Sequence, residues 1–506
     1  MIIGNEATTK LLEGVNLVAN AVKGTLGPAA KTAIIQRDGK FPIIVNDGVS
    51  IAKAVSHPDP YVQLGVSLMQ QVAEEAQGKS GDGTTTATIL AQALCNIGFS
   101  LINDEQSEWY NNPTKLTQEI NLLSEEIISS ISKHKIDCEG DMIKQVATIA
   151  ANNDEELGSL IAEVMEKVGK NGVVSVEVGS GFDTTYEMTN GYEVLTGAIS
   201  PHFPSQLKDC NVLLIADKIN SFDSLVPVLE MTIEDERSIL IVAADFNPTV
   251  MPNLLVNVMQ GKVNAVIIKA PGMGNAPEEV LYDLRASVGG KIVGKMYDVE
   301  KLSDVTLDDM GYAESVEIGN DSTVISTDKS PNEAHLDNLY QALNDIQLGS
   351  KGANDWAKET MQRRIARLEQ GIASIKVGGK TEVELLERKE RIDDAVNAVK
   401  AAMQNGVIPG GGILMDYYAV QKIPSHDEIS KAFRIPKFLI QENAGFQASV
   451  SHSATHGMDS AKGDGVWVDM VEAGILDPLD VTINSIRSAV SVATLVLGSN
   501  CLIPTA

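Results

Sequence analysis

The chain has 506 residues, 43% of them hydrophobic and 21% charged, which is enough material for about three domains with buried cores. Its 68 acidic residues outnumber 40 Lys and Arg, and the net charge of −28 argues against nucleic acid or an anionic membrane surface as a partner. The four cysteines stand far apart with no C-x-x-C pair, which excludes a disulfide scaffold and a cysteine zinc site and favours a reducing compartment.

The N-terminal region predicts a helix followed by a hairpin. It has no basic segment leading into an apolar core, and no run reaches the roughly 18 apolar residues of a membrane helix, so we expect a cytoplasmic protein. Apolar residues at helical spacing share one face at Leu11, Val15, Val18 and Val22. Strand-like runs at 33–35 and 43–45 then flank Asp38-Gly39, a dipeptide typical of a tight turn.

The remainder of the chain predicts helical ends around an α/β middle. A helical pattern runs from about Thr84 to Lys167. Short, unbroken apolar runs separated by helix-length segments follow, as in a buried parallel sheet, at 212–215, 239–242 and 265–268. From about Asn332 the pattern is again mostly helical.

The most informative motif is the hexad Gly81-Asp82-Gly83-Thr84-Thr85-Thr86. Its glycines would let the backbone approach an anion closely, and the N–H groups and hydroxyls of the following helix could donate to phosphate oxygens. Asp82 would repel a bare phosphate but suits Mg²⁺, which prefers carboxylate oxygen and bridges to phosphates. On the residues alone, a glycine loop with threonine capping is an equal alternative.

The other candidate motifs are weaker. Asp47-Gly48 and Asp393-Asp394 could serve phosphoryl transfer, although a turn aspartate or a solvated helix face is the simpler interpretation of each. Gly78-Lys79-Ser80 lacks the upstream glycine of a Walker A loop. Gly272-Met273-Gly274 lacks the third glycine of a dinucleotide site. Gly410-Gly411-Gly412 could pass close to a nucleotide or form an ordinary loop.

A series of markers spans nearly the whole chain, from Gly4 to Cys501. In order, they are Thr25-Leu26-Gly27-Pro28, Asp47-Gly48-Val49-Ser50, Gly81 to Thr88, Ala270-Pro271-Gly272, Gly410-Gly411-Gly412 and Gly474-Ile475-Leu476-Asp477-Pro478. With these markers the sequence resembles a group I chaperonin of the GroEL family. The sequence departs from the family pattern at several positions and lacks the Gly-Gly-Met tail, so we expect a divergent member, and this divergence would suit a bacterial paralogue, an organelle or a virus.

The resemblance implies a multidomain α/β fold. It would combine a mostly helical equatorial ATPase domain, a small intermediate hinge domain and an α/β apical domain that binds clients. The implied boundaries are equatorial 1–133 and 407–506, intermediate 134–190 and 372–406, and apical 191–371. Gly191 and Gly371 match the hinges about which the apical domain would swing.

The resemblance also implies an ATP-dependent, ring-forming chaperonin that folds non-native proteins, with ATP and Mg²⁺ as cofactors and K⁺ as an optional ion. Asp82 would hold Mg²⁺, while Asp47 and Asp394 would position the attacking water. Nucleotide contacts would come from Thr25, Leu26, Gly27, Pro28, Asp82, Gly83, Thr84, Thr85, Thr86, Gly411 and Asp477. Clients would bind at Phe203, Val226, Leu229, Met251, Leu255 and Val256.

Several positions depart from the family pattern. Asn46 replaces a lysine, which removes a positive charge from the phosphate side. The asparagine expected near the adenine falls in a shortened stretch at 461–465, so that contact has no residue assigned. Pro252 lies inside the second apical helix and would kink or shorten it. Extra residues at 103–110 and a shortened segment at 424–464 put ring-to-ring contacts in question.

The expected partners are non-native client proteins and other copies of the chain in a homo-oligomeric ring of about seven subunits, while the need for a lid co-chaperonin is left open. One ring and two rings both remain open, and neither nucleic acid nor membrane is expected. One alternative is a chaperonin-fold scaffold with weak or no ATP hydrolysis, as Asn46 would allow. The other is a metabolic phosphotransferase, against which the missing Walker A and dinucleotide motifs count.

Overall fold

The chain folds into two units in a computed structural model. Unit 1 comprises Met1–Met165, Ser180–Asp183 and Val377–Ala506, and unit 2 comprises Glu166–Gly179 and Thr184–Lys376. The structure describes residues 1–37, 40–170, 172–179, 181–200, 202–272, 276–320, 322–348, 355–369, 371–421, 427–462 and 465–504. The predicted Asp38-Gly39 turn and the Met273-Gly274 part of the rejected motif lie outside these residues.

The N-terminal part of the chain is mainly helical. The apolar face predicted for the first helix is buried at Leu11, Val15, Val18 and Val22, which confirms the helical spacing. The elements are β1 (Ile2–Ile3), α1 (Asn5–Val22), β2 (Ala33–Arg37), β3 (Lys40–Val45), α2 (Gly48–Ala54), α3 (Pro60–Ser80), α4 (Thr84–Asn103), α5 (Pro113–Ile131), α6 (Asp141–Ala150) and α7 (Glu155–Val168). Strands β2 and β3 pair antiparallel, as the hairpin pattern predicted.

The middle of the chain alternates strands and helices. Its elements are β4 (Val173–Val178), β5 (Thr185–Val194), β6 (Gln206–Ile219), α8 (Val226–Glu234), β7 (Ser238–Phe246), α9 (Val250–Met259), β8 (Ala265–Lys269), α10 (Ala276–Val288), β9 (Ile292–Val293), β10 (Gly311–Ile318), β11 (Thr323–Thr327), α11 (Glu333–Leu348), α12 (Asp355–Glu369) and β12 (Ile372–Val377). Within the described residues these strands form one 9-stranded sheet, in the order β4-β12-β5-β11-β10-β6-β7-β8, with β9 paired to β6.

The core of unit 2 is the parallel part of this sheet. Strands β6, β7 and β8 pair in parallel, with Val212 opposite Leu240 and Leu240 opposite Val266. These strands contain the three apolar runs that predicted a buried parallel sheet, and the runs are buried on both faces. Helices α8 and α9 connect neighbouring strands in the same direction, so the right-handed crossover rule places both on one face of the sheet.

The C-terminal part of the chain completes unit 1. Its elements are α13 (Glu382–Asn405), β13 (Val407–Pro409), α14 (Ile413–Gln421), α15 (Asp427–Ser430), α16 (Ile435–Asn443), β14 (His456–Met458), β15 (Trp467–Asp469), β16 (Leu476–Pro478), α17 (Leu479–Gly498) and β17 (Cys501–Leu502). Strand β17 pairs antiparallel with β1, with Ile2 opposite Leu502. Both ends of the chain therefore build one unit, while the five-segment domain division remains a prediction.

Among the residues that the structure describes, two core helices of unit 1 are long and apolar enough, by length and composition, to cross a membrane. They are α4 and α17, each with a mean hydropathy of 1.4 over its best window, although the sequence predicted no such segment. Both windows include polar Thr and Ser, so neither is an unbroken apolar run. The two helices pack against each other, and 50% of the most apolar 18-residue stretch of α4 and 61% of that of α17 are buried. Core helices of a folded domain can have the same length and apolar composition, and α4 and α17 serve as core helices of unit 1.

Candidate nucleotide site

A cavity of about 300 Å³ opens in unit 1, at the lower end of the range for small-molecule sites. It collects segments that are far apart in sequence, from the loop after α1 to the first turns of α17. Every residue that the resemblance assigned to nucleotide or water lines it: Thr25, Leu26, Gly27, Pro28, Asp47, Asp82, Gly83, Thr84, Thr85, Thr86, Asp394, Gly411 and Asp477.

The N-termini of two helices meet at this cavity. Helix α2 begins at Gly48, and a Cβ atom there would lie 2.7 Å from Thr84 Oγ1 and 2.6 Å from Thr85 Oγ1, both in the first turn of α4. Glycine is therefore required for the two helix starts to approach so closely. The first-turn N–H groups of α4 and the positive dipole ends of both helices favour an anion at this place, although two N–H groups of α2, those of Val49 and Ser50, already donate to Asp47.

Asp82 is held between two backbone positions in the left-handed region. Gly81 ends α3 with φ +66°, and Gly83 precedes α4 with φ +84°. A side chain at Gly83 has no room, because its Cβ would lie 2.4 Å from Ser485 Oγ and 2.8 Å from Val481 Cγ1. The Ser485 hydroxyl in turn donates to the Gly83 carbonyl at 3.0 Å. Helix α17 thus fixes the loop that presents Asp82.

Three aspartates of the cavity have pKa values above the ordinary range. Burial raises the pKa of Asp82, and the nearby Asp47 raises it further. Burial raises the pKa of Asp394 well above its usual value, with added repulsion from Asp82 and Asp47. Burial and Asp82 raise the pKa of Asp477 to about 6, against the opposing effect of the Gly412 and Gly411 N–H groups. The cavity therefore favours a ligand that brings positive charge.

Asp47 has a structural task as well. It is the N-cap of α2, where its two carboxylate oxygens accept from Val49 N at 3.1 Å and Ser50 N at 2.7 Å. These bonds fix the orientation of the carboxylate. Asp47 is thus a helix-capping aspartate, where the simpler interpretation was a turn aspartate or a solvated helix face, and the same carboxylate also lines the cavity.

Two cations belong to the described lining of the cavity, and neither was predicted from the sequence. Arg391 lies on α13 one turn before Asp394, and this i, i+3 spacing was a readable signal. Lys437 lies on α16 and is buried, with its Nζ donating to Asp416 Oδ2 at 2.7 Å. No local sequence pattern indicates the contact between Lys437 and Asp416, because these residues lie on different helices. Asn46 lines the same cavity without a charge.

The donor set fits Mg²⁺ held jointly by protein and phosphate. In the described part of the chain, no group of three or more His, Cys, Asp or Glu side chains is arranged to hold a metal ion alone. Mg²⁺ typically takes one or two carboxylates and fills its other positions with phosphate oxygens and water. Asp82, whose pKa is raised by burial and by Asp47, is a carboxylate of this kind beside the two helix N-termini.

Two comparisons with known proteins bear on the family and the fold of the chain. The model of the TCP-1/cpn60 chaperonin family matches residues 18–271 and 269–506. The chain belongs to the TCP-1/cpn60 chaperonin family. A solved structure of the chaperonin gp146 from bacteriophage EL 2 (Pseudomonas aeruginosa), obtained in the presence of ATP-BeFx, is 20% identical with a TM-score of 0.70 and covers 100% of this chain and 99% of its own. A second crystal form gives 19% identity and a TM-score of 0.63 over the same shares.

These matches confirm the expected GroEL-like, multidomain α/β fold and a divergent member of the family. The cavity reaches the stretch that left the adenine contact unassigned, where the chaperonin places Ser460 and Ala461 in its lining. Apolar side chains of Met415, Met458 and Met470 line the cavity as well. An apolar region of this kind suits the flat faces of a purine base.

The predicted client-binding residues of this chaperonin divide by burial. Phe203 and Leu229 are buried in the core of unit 2, at 6% and 5% exposure. Val226, Met251 and Leu255 are half-buried, and Val256 is 52% exposed. Ile233 on α8 and Met259 on α9, which the sequence analysis did not name, are 48% and 68% exposed.

Pro252 does not interrupt its helix. Helix α9 runs from Val250 to Met259, so Pro252 lies in its first turn, where a missing N–H costs no helical hydrogen bond. The proline instead marks where the helix begins. The predicted shortening is consistent with this start, whereas a kink is not needed to accommodate the ring.

The predicted hinge glycines lie side by side in unit 2. Gly191 is in β5, where a Cβ atom would lie 2.1 Å from the Ile325 carbonyl oxygen of β11. Gly371 immediately precedes β12, which pairs with β5, and has φ +65°. Both positions need glycine for local reasons of space or backbone conformation. Their role as hinges remains a prediction.

Proposed function

We propose that this chaperonin hydrolyses ATP in the cavity of unit 1 and uses the resulting domain movements to fold non-native proteins. The observation that carries the proposal is the meeting of two helix N-termini with three aspartates of raised pKa in one cavity. The first feature suits phosphate and the second suits a bound cation, so magnesium-bound ATP supplies what both require. The related gp146 was crystallised in the presence of ATP-BeFx, which supports a nucleotide.

The proposed binding mode follows from the lining. The phosphates lie against the N-termini of α2 and α4, where the hydroxyls of Thr84, Thr85 and Thr86 add donors. Thr25 lies beside them, with its Oγ1 3.4 Å from Thr85 Oγ1. The nucleoside lies toward Gly411 and Asp477, whose carboxylate can accept from ribose hydroxyls.

Hydrolysis is an in-line displacement at the γ-phosphorus. Mg²⁺, held by Asp82 and the phosphates, would neutralise part of the phosphate charge. The water oxygen bonds to the γ-phosphorus, and the bond to the β,γ-bridging oxygen breaks with its electron pair leaving on ADP. Asp394 accepts the proton of the water, which its raised pKa favours, and Asp47 orients the water from its fixed position on α2. The products are ADP and inorganic phosphate.

Client binding is assigned to α8 and α9. Their exposed apolar side chains, Ile233, Val256 and Met259, suit the apolar segments that an unfolded protein exposes. The half-buried Val226, Met251 and Leu255 extend this surface where the helices face solvent. We further propose a cytoplasmic homo-oligomeric ring of about seven subunits that works with a lid co-chaperonin.

Three measurements on the purified full-length chain test the proposal. Phosphate release should require both ATP and Mg²⁺, aggregation of a chemically unfolded client should fall in the presence of the protein, and electron microscopy should show rings. A monomer that neither releases phosphate nor suppresses aggregation would overturn it. Rings that suppress aggregation without phosphate release would instead support the scaffold alternative, which Asn46 favours because it removes a cation from the phosphate side.

A further inference from the structure

Arg391 places a positive charge at the catalytic side of the cavity. It lies on α13 three residues before Asp394, so the two side chains project from the same helix face. Both line the cavity. A cation beside the proposed proton acceptor is in the right region to meet the terminal phosphate of ATP.

The hydrogen bonding of Arg391 is incomplete. Its Nη2 donates to Glu387 Oε1, one turn earlier on α13, and this ion pair restrains the guanidinium. Its Nε is buried and finds no hydrogen-bond partner among the described residues. A buried donor of a charged group left without an acceptor is costly, and such groups are rare in folded proteins. The arginine is therefore placed for an acceptor that a ligand would bring.

Charge around the cavity supports the same conclusion. The described lining contains two cations, Arg391 and Lys437, and five aspartates. The aspartates are Asp47, Asp82, Asp394, Asp459 and Asp477. Lys437 is 2% exposed and already donates to Asp416 Oδ2 and to the Ser449 carbonyl oxygen. Asn46 is neutral. Of these two lining cations, Arg391 is the one with a buried donor still available for phosphate.

We infer that Arg391 contacts the γ-phosphate of ATP and stabilises the charge that builds on it during hydrolysis, in place of the cation that Asn46 does not supply. This inference rests on the proposed function. A guanidinium offers parallel N–H donors that match phosphate oxygens, and it stays charged at every relevant pH. The Glu387 ion pair orients the group, which leaves Nε for the ligand.

The test compares Arg391→Gln with Arg388→Gln, a matched control on the same helix that does not line the cavity. Arg391→Gln should lower the rate of phosphate release by about 100-fold and weaken ATP binding about tenfold while leaving ADP binding unchanged. Arg388→Gln should retain turnover and the preference for ATP. Adding Asn46→Lys to Arg391→Gln should restore part of the rate, which a purely structural arginine would not allow.

The outcomes separate this inference from the proposed function. Wild-type turnover with no loss in Arg391→Gln, or equal losses in both arginine variants, would overturn the inference and leave the proposed ATPase standing. A wild-type protein that binds ATP without hydrolysing it still tests the contact, because Arg391→Gln must then reduce the preference for ATP over ADP. A wild-type protein that binds no nucleotide would overturn both.

Discussion

Asp283 of unit 2 and the cavity aspartates of unit 1 are all buried, but their pKa values are shifted in opposite directions. In unit 2, the Asp283 side chain is 1% exposed and accepts from Arg364 Nε and Nη2 at 2.9 Å and from His335 Nε2 at 2.8 Å. Burial alone would raise the pKa of Asp283, but the bonds from His335 and Arg364 hold it below the ordinary value. In unit 1, burial and mutual repulsion keep the pKa values of Asp82, Asp394 and Asp477 raised.

The difference separates structural acids from functional ones. The chain supplies cations for Asp283, and likewise for Asp416 of unit 1, which accepts from Arg434 and Lys437. Such groups contribute to a folded network and leave nothing for a ligand to neutralise. Carboxylates whose pKa stays raised inside a cavity mark a binding or catalytic site.

The largest expected effect is on turnover in unit 1. Asp394→Asn removes the proposed proton acceptor but keeps the shape of the side chain, so phosphate release should fall by about 1,000-fold with ATP affinity nearly unchanged. Asp393→Asn is the control, since Asp393 pairs with Lys389 and does not line the cavity. Steady-state phosphate release and calorimetry decide the matter. Equal turnover in wild type and Asp394→Asn would refute the assignment.

The next effect is on stability in unit 2. Asp283→Ala removes the acceptor of Arg364 Nε and Nη2, while Nη1 keeps its bond to Glu279, and we expect the free energy of unfolding of unit 2 to fall by about 3 kcal/mol. Asp304→Ala, at an exposed position of the same unit, should change stability by a few tenths of a kcal/mol at most. The stability changes of both variants can be measured by chemical denaturation, with hydrogen exchange of the β6, β7 and β8 amides as the local readout for unit 2. A stability loss no greater than that of the control would place Asp283 among the dispensable charges.

The smallest effect is a pH dependence. The pKa of Asp477 is about 6 in the folded state against an ordinary value near 4, so between these values the folded chain binds more protons than the unfolded chain. Stability without nucleotide should therefore fall as pH rises through this window. Asp477→Asn should remove about 1 kcal/mol of that decline. If the free energies of unfolding of wild type and variant changed in parallel between pH 4 and 6.5, Asp477 would not be the cause of the pH dependence.

Local patterns predicted much of the fold. The spacing of apolar residues indicated α1, and the unbroken runs indicated β6, β7 and β8, because neighbouring residues alone decide those features. The hexad could also be recognised from local sequence, since Gly81 and Gly83 set the backbone conformation around Asp82. Asp393-Asp394 was noted as a carboxylate pair, but the water-positioning role of Asp394 and the role of Asp477 came from the resemblance, because nothing near them in sequence indicates that they share a cavity with Asp82.

What the sequence did not reveal depends on distant contacts. Lys437 on α16 donates to Asp416 on α14, a contact between two helices. The proposed role of Arg391 depends on its lining the same cavity as the neutral Asn46, which only the structure shows. Burial of Phe203 and Leu229 depends on how they pack against the sheet, which helical periodicity alone leaves undefined. The apolar surface of α8 and α9 is thus defined by Ile233, Val256 and Met259 as much as by the predicted residues.

A calorimetric titration of the purified protein with a non-hydrolysable ATP analogue, with and without Mg²⁺, would show whether the cavity of unit 1 binds magnesium-bound nucleotide. We expect one nucleotide per chain and at least about tenfold tighter binding with Mg²⁺, because raised carboxylate pKa values favour a ligand that arrives with a cation. Asp82→Asn should remove most of the Mg²⁺ effect. Absence of binding, or binding of equal strength with and without Mg²⁺, would contradict this expectation.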